Sequence, residues 1–83
     1  MSDDSAARDA VLSLLENRRP GASICPSEAA RRLDPVHWRD EMARVRAVAA
    51  GLVAEGRLEV TQKGAVVDPA QARGPIRLRL ARA

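Results

Sequence analysis

Three arginines, Arg39, Arg44 and Arg46, lie within one stretch of helical periodicity, and Lys63 and Arg73 lie in the looser stretch that follows. Guanidinium and ammonium groups so placed can bind phosphate, and an arginine on a helix can also read the edge of a guanine. The chemistry they suggest is electrostatic recognition of nucleic acid. Two features oppose it. Asp34, Asp40 and Glu41 crowd the start of the same helix, and the helix has no Asn, Gln, Ser, Thr or Lys, so much of the base-reading repertoire is missing. The competing reading is that these arginines pair with Asp40, Glu41 and other surface acids, and that Arg77 and Arg79 pair across strands with Glu59.

The other reactive side chains do not combine into a site. His37 has no second His, Cys or carboxylate at ligand spacing, so it reads as a solvated histidine. Cys25 precedes Pro26 at a helix start, where a thiol can be activated; a small hydrophobe-like cysteine is the simpler reading. Trp38 falls on an apolar face and reads as a core anchor rather than a stacking platform. One His and one Cys separated by two helix breaks make no triad, and the chain has neither a glycine-rich phosphate loop nor a metal-ligand cluster. The expectation is a protein that is not an enzyme, with no cofactor, no metal and no small-molecule substrate.

A chain of 83 residues makes one domain and buries roughly 60–65% of its unfolded surface. With one Trp and no Phe or Tyr, its core must be built from Leu, Val, Ile and Ala. An enclosed pocket for a sizeable ligand is not expected. A single cysteine excludes an internal disulfide and suits a reducing cytoplasm. The acidic start, MSDDSAARD, does not read as a signal peptide, and no apolar run reaches the length of about 18 residues that a membrane span needs. The net charge of +3 is unevenly spread. Residues 1–9 hold three Asp against one Arg, whereas residues 73–83 hold four Arg and no acid, a basic end suited to an anionic partner.

The elements that position these residues follow from periodicity. Ser5 to Arg18 reads as the first helix, capped by Ser5 or Asp4. Ala7, Val11, Leu14 and Leu15 line one face with Leu12 at its edge, and Arg18 and Arg19 complement the helix dipole. Pro20-Gly21 ends it. Ser23-Ile24-Cys25 is either a loop or a minimal edge strand. Pro26 to Leu33 is a short second helix with Pro at its first position.

Asp34 to Gln62 is the organising stretch. Asp34 and Pro35 start a long helix running to about Glu55. On it Trp38, Met42, Val45, Val48, Ala49, Leu52 and Val53 fall within about 80° of Val45. Gly56 stops the helix, and residues 58–62 alternate as a strand. Ala43, Ala47, Ala50 and Ala54 form a stripe opposite the large apolar face, expected to pack against the first or second helix. Lys63-Gly64 is a turn signal, and 65–67 can add a short extended piece. Residues 76–80 are a strand with Ile76, Leu78 and Leu80 inward. Strand 58–62 then pairs either directly with 76–80, leaving 63–75 as a protruding loop, or first with 65–67 in a tight hairpin that makes 76–80 a third strand.

Helix, short extended piece, helix, helix, strand, loop, strand is the order of a winged helix-turn-helix, three helices with a two- or three-stranded antiparallel wing sheet. The segments ICPSEAARRL, the W…M..VR…A..L…G pattern and EVTQKG…VDP…RGPIRLRL resemble a small bacterial family of winged-helix proteins, a domain of unknown function. The resemblance spans about residues 8–81 and implies the fold without implying an activity. The domain is expected to occupy residues 1–83, with 1–4 and 82–83 frayed. Function divides between two readings. One is a DNA-binding winged helix with weak sequence preference, using Arg39, Arg44 and Arg46 of the third helix and Lys63 and Arg73 of the wing, with Arg77, Arg79 and Arg82 nearby. The other is a winged helix that self-associates or binds a protein partner without touching DNA. Neither involves a membrane, and both suit the cytoplasm.

Overall fold

The stripe Val45, Ala49 and Leu52 is spaced for one face of a helix, and all three side chains are fully buried or nearly so. In the computed structural model, which describes residues 3–81, this stripe belongs to helix α3, Trp38–Ala54. It follows α1 (Asp3–Glu16), strand β1 (Ser23–Ile24) and α2 (Pro26–Leu33). It precedes β2 (Leu58–Gln62), β3 (Ala65–Val66) and β4 (Arg77–Leu80). The strands form one antiparallel sheet in the order β1-β4-β2-β3. Three helices and a small four-stranded sheet make a helix-rich mixed fold compatible with a winged helix-turn-helix.

The α3 helix packs on α1, α2 and β2. Its inward face meets Val11 and Leu15 of α1, Ala29 and Ala30 of α2, and Leu58, Val60, Ile76 and Leu78 of the sheet region in one aliphatic cluster. Trp38, Met42, Val48 and Val53 pack at its margin, half-buried. Small residues on α2 let that two-turn helix approach closely, and most of its stability comes from this packing rather than from its own length. Among the described residues, no helix is long and apolar enough to cross a membrane.

Both pairings open to β2 are realised. Leu58, Glu59, Val60 and Thr61 face Leu80, Arg79, Leu78 and Arg77 of β4. On its other edge β2 turns at Lys63-Gly64 to meet β3, with Gln62 opposite Ala65. Ser23-Ile24 is an edge strand, pairing with Arg79 and Leu78. The sheet therefore has one strand more than expected.

Several local expectations are corrected. The first helix ends at Glu16, so Arg18 and Arg19 lie beyond it. Arg18 instead donates to Glu28 at 2.6 Å. Asp4 and Ser5 lie inside α1, whose range begins at Asp3. Residues 1, 2, 82 and 83, and with them Arg82, fall outside the described residues. Asp34 does not cap α3. Its Oδ1 accepts from the amides of Val36 at 3.1 Å and His37 at 2.9 Å, so it folds the α2–α3 turn, and the helix begins three residues later than the Pro35 signal implied. Leu80 is 39% exposed rather than inward, at the end of β4 and past the β1 pairing, which stops at Arg79. The alanine stripe is not covered by α1 or α2. Ala43, Ala47 and Ala54 are exposed and Ala50 is half-buried, since both helices pack on the flanks of α3 and leave its back open.

Glu28 ties three segments together. Its Oε1 accepts from Arg18, and its Oε2 accepts from the Cys25 amide at 2.9 Å at the start of α2. The Arg18 hydrogen bond, followed by the Cys25 amide and the nearby positive charges of Arg18 and Arg77, outweighs partial burial and holds this carboxyl below the usual glutamate range. A lowered folded-state pKa contributes stability above the unfolded value, and that stability is lost as pH falls through the folded value. Glu28→Gln is therefore expected to destabilise the protein at neutral pH. Its unfolding midpoint in urea should converge on that of the wild type at a pH well below the ordinary glutamate range.

Candidate nucleic-acid interface

The five cations singled out by sequence do not all meet. At about 100° per residue, Arg39 and Arg46 stand about 20° apart on one side of α3, two turns from each other. Arg44 points about 160° away from Arg46, to the other flank. There it donates to Glu41 and lies 4.0 Å from Asp4 of α1. The same flank carries the bidentate pair of Arg8 with Glu55, both bonds 2.7 Å, which fastens α1 to the end of α3. Arg44 is thus part of the α1–α3 seam.

Arg46 faces the connection between β2 and β4. Its Nη2 donates to the Gly74 carbonyl at 3.3 Å. Gln62, at the end of β2, donates through Nε2 to the carbonyls of Arg73 and Pro75, the latter at 3.1 Å. These two side chains hold the return of the connection against α3 and β2. Arg73 and Lys63 are both exposed, and neither has an ion-pair partner among the described residues. Arg39, Arg46, Lys63 and Arg73 therefore belong to α3's connection-facing side and to the connection itself. Ala43 and Ala50 lie beside this pair on α3, within about 60° of both arginines, and no carboxylate of α3 falls in that sector of the helix.

The acids at the start of α3 are largely committed elsewhere. Asp34 serves the amides of His37 and Val36, and these bonds, with the neighbouring His37, keep its carboxyl below the ordinary range despite desolvation. Glu41 is taken by Arg44. Asp40 projects away from the Arg39–Arg46 side by about 100° or more. Arg79 donates to Glu59 at 2.8 Å, the cross-strand pair anticipated for it. Arg77 goes to Ser23 instead, with Nε to Oγ and Nη2 to the carbonyl, both 3.0 Å. His37 sits in the exposed α2–α3 turn, and Cys25 is the half-buried cap of α2, its sulfur accepting from the Ser27 hydroxyl at 3.1 Å.

Sequence reasoning missed two participants. Gln62 looked like an ordinary outward strand residue, and only the return of residues 73–75 beside it gives its amide a role. Arg31 of α2 lies over the Trp38 ring, 4.3 Å from its centroid, and Arg39 lies over the same ring at 4.4 Å. Trp38 is half-buried and carries two guanidiniums, an anchor on one part of its surface and a platform on another. The α2–α3 turn hid this, because a helical wheel cannot be carried across it.

Lys63 adopts a positive φ of 51°, followed by Gly64 at 83°. Positive φ at both central residues is the requirement of a tight I′ hairpin turn, which favours Asn-Gly, and a lysine there is strained. Lys63→Asn is expected to keep the hairpin and raise unfolding stability by up to about 1 kcal/mol, read from a urea or thermal melt. Loss of stability would mean that the lysine side chain itself supports the turn.

Comparison with curated proteins gives no match. The model of a protein family of unknown function, DUF3253, matches residues 4–81, a span that takes in all three helices, the sheet and the connection bearing Lys63 and Arg73. The chain belongs to the DUF3253 family.

Proposed function

We propose that the chain is a winged-helix module that binds the phosphate backbone of duplex DNA with weak sequence preference. In this reading α3 is the helix presented to the duplex and residues 63–76 are the wing. The observation that carries it is the placement of Arg39 and Arg46 on the wing-facing side of α3, with Arg46 bonded to Gly74 next to Arg73. Lys63 and Arg73 of the connection add two further cations to this reading, and α3 adds no carboxylate to the Arg39–Arg46 sector. Ala43 and Ala50 beside the arginines leave the helix backbone free to approach a groove. The absence of Asn, Gln, Ser and Thr from α3 fits contact with phosphates more than base readout. A strained lysine at the wing tip is consistent with a charge kept for a partner rather than for the turn.

A second reading rests on the open back of α3, where Ala43, Ala47 and Ala54 are exposed beside Gly51. Such a smooth helical surface suits a helix of another chain, either a second copy or a protein partner.

Labelled duplex DNA and sedimentation separate the two. DNA binding is expected at low salt with micromolar protein, and log affinity should fall linearly with log salt concentration. Arg39→Ala, Arg46→Ala and Lys63→Asn are each expected to weaken binding and reduce that slope by about 0.9. Arg44→Ala should leave the slope unchanged. Absence of a complex at low salt would sink the DNA reading, and a concentration-dependent dimer would favour the second.

A further inference from the structure

Arg31, Trp38 and Arg39 form a cluster at the margin of the core, and packing of the indole does not account for the two guanidiniums on it. The ring is half-buried, while both guanidiniums are on exposed residues. Arg31 and Arg39 lie 4.3 and 4.4 Å from the ring centroid. Among the described residues, no carboxylate pairs with either of them. Asp34, in the turn between the two helices, is held by the Val36 and His37 amides, and Glu28 by Arg18 and the Cys25 amide. Two permanent positive charges are therefore brought to one small ring without an acid to balance them.

Stacking settles how these charges can be used. A guanidinium over an aromatic face keeps its N–H donors around the rim of its own plane, where they remain available. The ring also restrains two long side chains before any ligand arrives, so less conformational entropy is lost on binding. Two guanidiniums held within 4.4 Å of one ring centroid make a local concentration of donors and positive charge that suits an anion with several acceptor oxygens, such as a phosphodiester. Arg32, next to Arg31 at the end of α2, is exposed and has no ion-pair partner among the described residues.

We infer that Arg31 and Arg39, held over the Trp38 ring, form a clamp for the phosphate backbone of duplex DNA at the junction of α2 and α3. The clamp rests on the DNA-binding reading and extends it. It adds a contact from α2, outside α3 and the wing, and gives the chain's single tryptophan a place at the interface.

That tryptophan is also the reporter. The full chain is titrated with a short duplex DNA at low salt, reading Trp38 emission and the anisotropy of labelled DNA together. The two signals are expected to follow the same binding curve. Arg31→Ala is expected to weaken binding about three- to tenfold and to lower the salt slope by about 0.9. Arg31→Lys, which keeps the charge but loses the plane, should restore only part of the affinity. Arg32→Ala removes an equal charge with no contact to the ring and should cost less than Arg31→Ala. Circular dichroism confirms that each variant is folded. The clamp is overturned, with the DNA reading intact, if DNA binds without changing Trp38 emission, if Arg31→Ala binds like the wild type, or if Arg31→Ala and Arg32→Ala lose the same amount. If the wild-type chain binds no duplex DNA, both inferences fail.

Discussion

The burial of Val45, Ala49 and Leu52 along one narrow stripe of α3 is the constraint on which the other elements depend. With no Phe or Tyr and the single Trp at the margin of the core, small aliphatic side chains join the elements, so α1, α2 and β2 all pack on the same helix. The first two helices close on its flanks, and β2 follows directly from its C-terminal end. Gly56, at φ 77°, allows the sharp exit that places Leu58 and Val60 back under the helix. Because α1 and α2 occupy the flanks, the back of α3 is left to solvent. One helix thus supplies both the centre of the core and the most prominent exposed surface.

That dual role divides the arginines of α3. On the α1 side, Arg44 joins Glu41 and Asp4, and Arg8 joins Glu55, so charge is spent on the seam between helices. On the connection side, Arg46 reaches a backbone carbonyl, which leaves its positive charge uncompensated, and Arg39 reaches an indole. A carbonyl or a ring holds a guanidinium in place without neutralising it, whereas a carboxylate does both. The asymmetry in partners, more than the number of arginines, is what makes one side of the molecule a candidate for polyanion binding.

Much of the fold was legible because it rests on local signals. Pro26 at the start of α2, the run of apolar spacings in α3, Gly56 and the alternation in 58–62 each mark their element. What was hidden depends on contacts between distant segments. Ser23-Ile24 is too short to announce itself as a strand, and only β4 makes it one. Asp34 looked like a helix cap, but its carboxylate folds the turn before the helix. The alanine stripe looked like a packing surface because small residues allow close approach, yet spacing cannot say whether a neighbour is there. The site was legible in residue type and only partly in grouping. Arg39 and Arg46 are separable from Arg44 by a helical wheel, but Arg31 meets Trp38 across a turn that the wheel cannot follow.

The central claim is that the connection-facing side of α3, with residues 62–75, is the binding surface, and that the α1–α3 seam is structural. An amide chemical-shift titration of the full chain with duplex DNA tests it most directly. The account predicts shifts concentrated at Arg39, Ala43, Arg46 and Ala50 and at the non-proline amides from Gln62 to Gly74, with Ser5, Arg8 and Arg44 little changed. Shifts centred on Ser5, Arg8, Ala47 and Gly51, or none at any DNA concentration, would contradict it.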